Sequence, residues 1–105
     1  MVKYVLSESE LQAELGSAGN KLVVIDFTAK WCPPCKAIAP EFEKLAGQHK
    51  DVVFLKVDID DAKELSAKHG IRSVPTFLFF KGGAKVDTMS GADLNGLKAR
   101  ILKHK

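Results

Sequence analysis

The sequence predicts an α/β domain in which a mixed five-stranded sheet is flanked by four helices, in the order β-α-β-α-β-α-β-β-α. Three observations predict it. Leu22–Thr28 and Val52–Asp58 are apolar with little alternation, the pattern of strands covered on both faces. Segments of helical period separate and follow them, so the early strands run parallel. Gly82-Gly83 then joins two more strand-like runs at hairpin spacing. At 105 residues the chain forms one domain, 1–105, large enough for a core without cross-links.

Each element has its own local warrant. Val2–Leu6 is a short strand suited to a sheet edge. Ser7 and Glu10 make a capping box for the first helix, with Leu6 and Leu11 placed as a hydrophobic staple. Leu11, Leu15 and Ala18 form its apolar stripe, and Gly19-Asn20 ends it. After the strand Leu22–Thr28, a helix over Ala37–His49 carries Ile38, Phe42, Leu45, Ala46 and His49 on one face, with a kink expected at Pro40. Val52–Asp58 follows. Asp61 and Glu64 are expected to cap a short helix that turns Ala62, Leu65 and His69 inward and closes at Gly70. Thr76–Phe80 and Lys85–Met89 are the hairpin strands. The last helix presents Leu94, Leu97, Ile101 and Leu102, and Gly96 inside it costs about 1 kcal/mol against alanine.

The chemistry concentrates in Trp31-Cys32-Pro33-Pro34-Cys35, which holds the only two cysteines. The pair falls where a strand ends and a helix begins. Unpaired N–H groups and the positive end of the helix dipole stabilise an anion there, so a cysteine at that point releases its proton more easily. Cys32 is the candidate thiolate, and Cys35 lies three residues on, one helical turn behind it. The spacing suits thiol–disulfide exchange. Cys32 attacks a partner's disulfide, and Cys35 then attacks Cys32 to release the reduced partner. Pro33 precedes a proline, which is expected to delay the helix start and to remove an amide from the neighbourhood of the Cys32 sulfur. Half of a zinc knuckle shares this spacing, but four ligands are needed, and no second cysteine pair is present. His49, His69 and His104 have no ligand spacing and are taken as surface or helix-face residues, so no metal is expected. A purely structural bridge between neighbours this close constrains little.

Composition narrows the setting. The formal charge of +3 comes from 16 basic and 13 acidic residues spread along the chain, too weak a bias for nucleic acid. No run approaches a membrane span, and Val2–Leu6 is too short for the apolar core of a signal peptide. A cytoplasmic location is expected, where a lone cysteine pair is more often catalytic than structural. A monomer is the expected state.

The order of elements around a Trp-Cys-x-x-Cys resembles that of the thioredoxin family, nearly end to end. The segments that carry the resemblance are Lys21–Phe27, Ala29–Lys36, Phe54–Asp58 and Val74–Phe77, and they look closest to the small cytosolic thioredoxins of eukaryotes. The resemblance implies the thioredoxin fold and a protein-disulfide reductase cycling between a Cys32/Cys35 dithiol and a disulfide. It implies no bound cofactor. Electrons would come from NADPH through a separate thioredoxin reductase, and targets would be disulfide-containing proteins such as peroxiredoxins or ribonucleotide reductase. Pro33 is the main departure, since the family usually has glycine there. Trp-Cys-Pro-Pro-Cys occurs in some plant thioredoxins and in the tryparedoxin and nucleoredoxin branches. Two other functions stay open: a narrower carrier of the tryparedoxin or nucleoredoxin kind, and a non-enzymatic thioredoxin-like binding module.

Asp26 interrupts a buried run, so its carboxyl should hold its proton unusually well. By resemblance it accepts the proton of Cys35; otherwise it is a strand-end aspartate reaching solvent or a backbone amide. Lys56, in the neighbouring strand, either modulates Asp26 or extends to water as an edge lysine. By resemblance Pro75 follows a cis peptide bond and brings the Val74 backbone to the cysteines. Trp31, Pro34, Val74, Pro75, Gly91 and Ala92 would then form an apolar rim for a docked substrate segment.

Overall fold

The structure is a computed structural model that describes residues 1–105. Its strands are β1 (Val2–Tyr4), β2 (Val23–Thr28), β3 (Val53–Asp58), β4 (Thr76–Lys81) and β5 (Ala84–Ser90). Its helices are α1 (Glu8–Ala18), α2 (Pro33–Gln48), α3 (Lys63–Lys68) and α4 (Leu94–His104). The sheet order is β1-β3-β2-β4-β5. β1, β3 and β2 are mutually parallel, while β4 runs antiparallel to both of its neighbours, β2 and β5. The expected β-α-β-α-β-α-β-β-α order and mixed sheet are therefore present.

Two cores fill the two faces of the sheet. Val23, Ile25, Phe27, Leu55 and Val57 pack with Leu11 and Leu15 of α1 and Leu65 of α3. Val24, Phe54, Phe77 and Phe79 pack with Ile38, Phe42 and Leu45 of α2 and Leu97 and Ile101 of α4. Side chains alternate across a strand. Asp26 follows Val24's parity and Lys56 follows Phe54's, so both project onto the α2 face, and they are direct neighbours in the β2–β3 register.

Helix boundaries show where local rules yielded. α2 begins at Pro33, not Ala37, so Pro33 does not delay it. Cys32 takes the extended backbone that a residue before proline prefers, and the first two helical positions need no N–H. The helix continues through Pro40, whose ring faces solvent. Ser7 caps α1 by accepting from the Glu10 N–H at 3.2 Å, but Leu6 is exposed, so no staple forms. α3 starts without a side-chain cap. The Asp58 carboxylate instead accepts from the N–H groups of Asp60 (2.8 Å) and Asp61 (3.3 Å), ordering the approach to α3 from the end of β3. Leu102, counted on the apolar face of α4, is exposed. His69 and His104 are partners rather than bystanders. His69 bonds Glu8 at 2.7 Å beside the rings of Phe27 and Phe80, and His104 bonds Asp87 at 2.8 Å.

Candidate active site

Cys32 is the N-cap of α2, held in extended backbone at the end of the β2–α2 connection. Its sulfur does what a serine or aspartate does at such a position: it accepts a helix N–H, from Cys35, at 3.2 Å. Cys32 and Cys35 are joined as a disulfide with Cα atoms 5.3 Å apart, inside the range an unstrained backbone reaches. The amide that holds the Cys32 sulfur comes from the third helical residue. The second, Pro34, has no N–H, so the sulfur has one amide donor where an N-cap can find two.

The pair is more enclosed than an exposed nucleophile would be. Only 3% of Cys32 is accessible in this disulfide form, and Ala29, Ile59 and Val74 pack around it. What stands out in front is Trp31, 64% exposed, with its indole N–H donated to Asp60 at 2.8 Å. Pro33 and Pro34 are exposed beside it. The Val74–Pro75 peptide bond is cis, the isomer the resemblance implies. The Val74 carbonyl oxygen lies 3.6 Å from the Cys32 sulfur. Val74 is half-buried and its N–H makes no hydrogen bond within the chain. Pro75 itself is buried, and its carbonyl accepts from the Gly91 N–H at 2.9 Å, which brings exposed Gly91 and Ala92 beside this loop. Gly91 has φ +93, a conformation that favours glycine. The two largest hollows of the molecule, about 600 Å³ each, involve neither cysteine.

On the sheet face that α2 covers, Asp26 is 1% exposed and its Oδ1 has no hydrogen-bond partner. Burial pushes its carboxyl up to about 7, against the opposing pull of the Lys56 ammonium. Lys56 is itself 7% exposed, with Nζ 5.8 Å from the Tyr4 ring centroid and 6.0 Å from that of Phe42. An open cleft of about 200 Å³ on this side is lined by Cys35, Lys56, Asp58, Tyr4, Thr28 and Lys36. Sequence reasoning passed over Asp60 and Tyr4. Asp60 lies 29 residues from the ring it anchors, and Tyr4 reaches Lys56 only through the β1–β3 register, so neither leaves a local signal.

A disulfide-bonded cysteine pair at a strand-to-helix junction, beside a cis-proline loop and on the helix that covers a buried acid, defines a thiol–disulfide oxidoreductase of the thioredoxin fold. Its redox group is the Cys32–Cys35 disulfide. Comparison with known proteins agrees. The thioredoxin family profile matches residues 2–103. The chain is 50% identical to horse (Equus caballus) thioredoxin over 101 residues, 96% of each chain. The thioredoxin of Fasciola hepatica superposes with a TM-score of 0.97 at 39% identity, covering 98% of this chain and 99% of that one. A thioredoxin f2, solved in complex with ferredoxin:thioredoxin reductase, superposes with a TM-score of 0.91 at 38% identity, covering 97% and 93%. The chain belongs to the thioredoxin family and is a protein-disulfide reductase. No helix is long and apolar enough to cross a membrane.

Proposed function

We propose that Cys32 is the attacking sulfur, Cys35 the resolving one and Asp26 the group that takes the proton of Cys35. In the reduced protein the Cys32 thiolate attacks one sulfur of a partner disulfide, and the other leaves as a thiolate and collects a proton. Cys35 gives its proton toward the Asp26 carboxylate and attacks the Cys32 sulfur. The partner's second thiol leaves, and the Cys32–Cys35 disulfide forms. One partner disulfide becomes two thiols as one dithiol becomes a disulfide. The observation that carries this assignment is the Cys35 N–H donated to the Cys32 sulfur at the head of α2, which favours negative charge on Cys32 and not on Cys35. A carboxyl with its midpoint at about 7 is present in both forms at neutral pH and can take up and return a proton.

Substrate docking is proposed for Trp31, Pro34, Val74, Gly91 and Ala92, with Pro75 acting from below by placing Val74. The unbonded Val74 N–H, with its carbonyl near Cys32, supports pairing with an extended substrate segment. Pro33 and Lys56 modulate, the first at the helix start and the second through Asp26. The 105 residues act as one domain, a cytoplasmic monomer of the small eukaryotic thioredoxin type. Its disulfide is reduced by a thioredoxin reductase drawing on NADPH, and its targets are protein disulfides such as those of peroxiredoxins or ribonucleotide reductase. The complex of the related thioredoxin f2 with ferredoxin:thioredoxin reductase supports recognition by a thioredoxin reductase, without bearing on the NADPH source.

The test is insulin-disulfide reduction driven by NADPH and purified thioredoxin reductase. The protein should turn over, Cys32→Ser should abolish turnover, and Cys35→Ser should accumulate a mixed disulfide through Cys32. A mixed disulfide through residue 35 in the Cys32→Ser variant, with turnover kept, would reverse the assignment. Turnover only with another reductant would favour a narrower carrier.

A further inference from the structure

Lys56 is an ammonium with little exposure and an unusual set of neighbours. It forms no ion pair and no side-chain hydrogen bond, and the groups that face its Nζ are two rings: Tyr4 at 5.8 Å and Phe42 at 6.0 Å. Phe42 belongs to the core of the α2 face and is fully buried. Tyr4 differs. It is the last residue of edge strand β1, it pairs directly with Lys56 in the parallel register, and it is 58% exposed. Lys56 in turn pairs directly with Asp26. Tyr4, Lys56 and Asp26 therefore form a row across three adjacent strands, all on the face toward α2. Tyr4 stands on the solvent side of the lysine. A lysine without that ring has a route outward along the open cleft, and its four-carbon stem lets the ammonium follow water.

We infer that Tyr4 is a positioning residue for the exchange reaction, its ring face holding the Lys56 ammonium inward beside Asp26. This rests on the assignment of Asp26 as the proton acceptor. The attraction is that of a cation for the negative face of an aromatic ring, strengthened where water is scarce. The other ionisable groups on the cleft are Asp58 of β3, Lys36 of α2 and Lys30 of the β2–α2 connection, Cys35 being held in the disulfide. On its remaining side, Asp26 meets the apolar Phe77 of β4. Lys30 is drawn to Asp58 and Asp61, at 3.9 and 3.7 Å, leaving Lys56 as the cation whose field reaches Asp26.

The two things Tyr4 can do to Asp26 have opposite signs, which makes the experiment decisive. If Tyr4 holds the ammonium in place, removing the ring lets the charge retreat, and the Asp26 carboxyl titrates at higher pH. If Tyr4 merely keeps water out, removing it hydrates Asp26, and the carboxyl titrates at lower pH. The measurement is a carbon-detected NMR titration of the Asp26 carboxyl in the oxidised protein and in Tyr4→Ala, Tyr4→Phe and Lys56→Gln variants. The expected result is a midpoint raised by about half a pH unit in Tyr4→Ala. Tyr4→Phe should keep the wild-type midpoint, and Tyr4→Ala should add nothing in the Lys56→Gln background. A lowered or unmoved midpoint in Tyr4→Ala overturns the inference, as does an equal rise without Lys56. The pH profile of insulin reduction separates this from the role of Asp26. A carboxyl midpoint that moves without the rate profile leaves Tyr4's placement standing and removes Asp26 from proton transfer. An unmoved midpoint, with activity lost in Asp26→Asn, does the reverse.

Discussion

Two prolines sit where a helix N-terminus normally offers amides to its cap, and they set how the Cys32 sulfur is held. An N-cap acceptor draws on the N–H of the second or third helical residue. Here the third, Cys35, is bonded at 3.2 Å and the second is Pro34. Pro33 occupies the first position, whose amide is less well aimed at the cap. Sequence alone directs attention to Pro33 as the lost amide; the geometry moves that role to Pro34. Pro34→Ala should therefore give the reduced Cys32 sulfur a second donor and shift its alkylation by iodoacetamide toward lower pH. Pro33→Gly should shift it less, while lowering stability through its freer unfolded chain. A larger shift in Pro33→Gly than in Pro34→Ala would contradict this account of the cap. The cysteine pair and Asp26 were legible because each breaks a local pattern: two sulfurs at a strand-to-helix junction, and one charge in an apolar run. Trp31's anchor on Asp60 and Tyr4's contact with Lys56 were not, because both depend on residues brought together by the sheet.

At the scale of elements, α4 carries a glycine that looks like a defect until its cap is seen. Asp93 caps α4 by accepting the Gly96 N–H at 3.0 Å. A Cβ at position 96 would fall 2.5 Å from the other oxygen of that carboxylate. The roughly 1 kcal/mol that alanine gains in a helix is therefore offset by a cap worth about the same. Gly96→Ala should leave stability within about 0.5 kcal/mol of wild type in urea melts. In an Asp93→Ala background the same change should stabilise by about 1 kcal/mol. A full gain in the otherwise native chain would mean that the carboxylate is free to move aside. Periodicity finds α4 but gives no account of its glycine, since the obstacle is a side chain three residues back whose orientation the fold sets. The start of α3 has the same character. Asp61 and Glu64 match a capping pattern, yet Asp58 holds the turn, because the end of β3 delivers its carboxylate to the Asp60 and Asp61 amides. The central strands β2 and β3 were easier to read, because short apolar runs without helical period suit a strand covered on both faces.

Across the whole molecule, the buried acid makes stability depend on pH in a way its surface acids oppose. Asp26 lies at the centre of the sheet, beneath α2, and holds its proton up to about 7. In the unfolded chain it ionises at the ordinary value of 3.8. Between those points the folded state binds more protons than the unfolded one, so stability falls as pH rises through that window and levels off above it. Glu8 and Asp87 act the other way. Burial pushes Glu8 up, but hydrogen bonds from Gln12 and His69 and the nearby positive charges outweigh it and hold the carboxyl below its ordinary range. His104 does the same for Asp87, which joins α4 to β5. Their contribution is present above the usual carboxylate range and is lost as pH falls through it. Stability therefore declines on the neutral side through Asp26 and on the acid side through Glu8 and Asp87. Asp26→Asn removes only the neutral-side decline. Its advantage over wild type should approach about 4 kcal/mol at pH 8, from roughly three pH units at about 1.36 kcal/mol each, and vanish near pH 4. Urea melts of the oxidised proteins across this range measure it. Parallel stability curves for the two proteins from pH 4 to 8 would show that Asp26 is not the group responsible. A variant that gains stability at pH 8 while losing disulfide reduction would show the fold retaining, for chemistry at Cys35, an acid that weakens it.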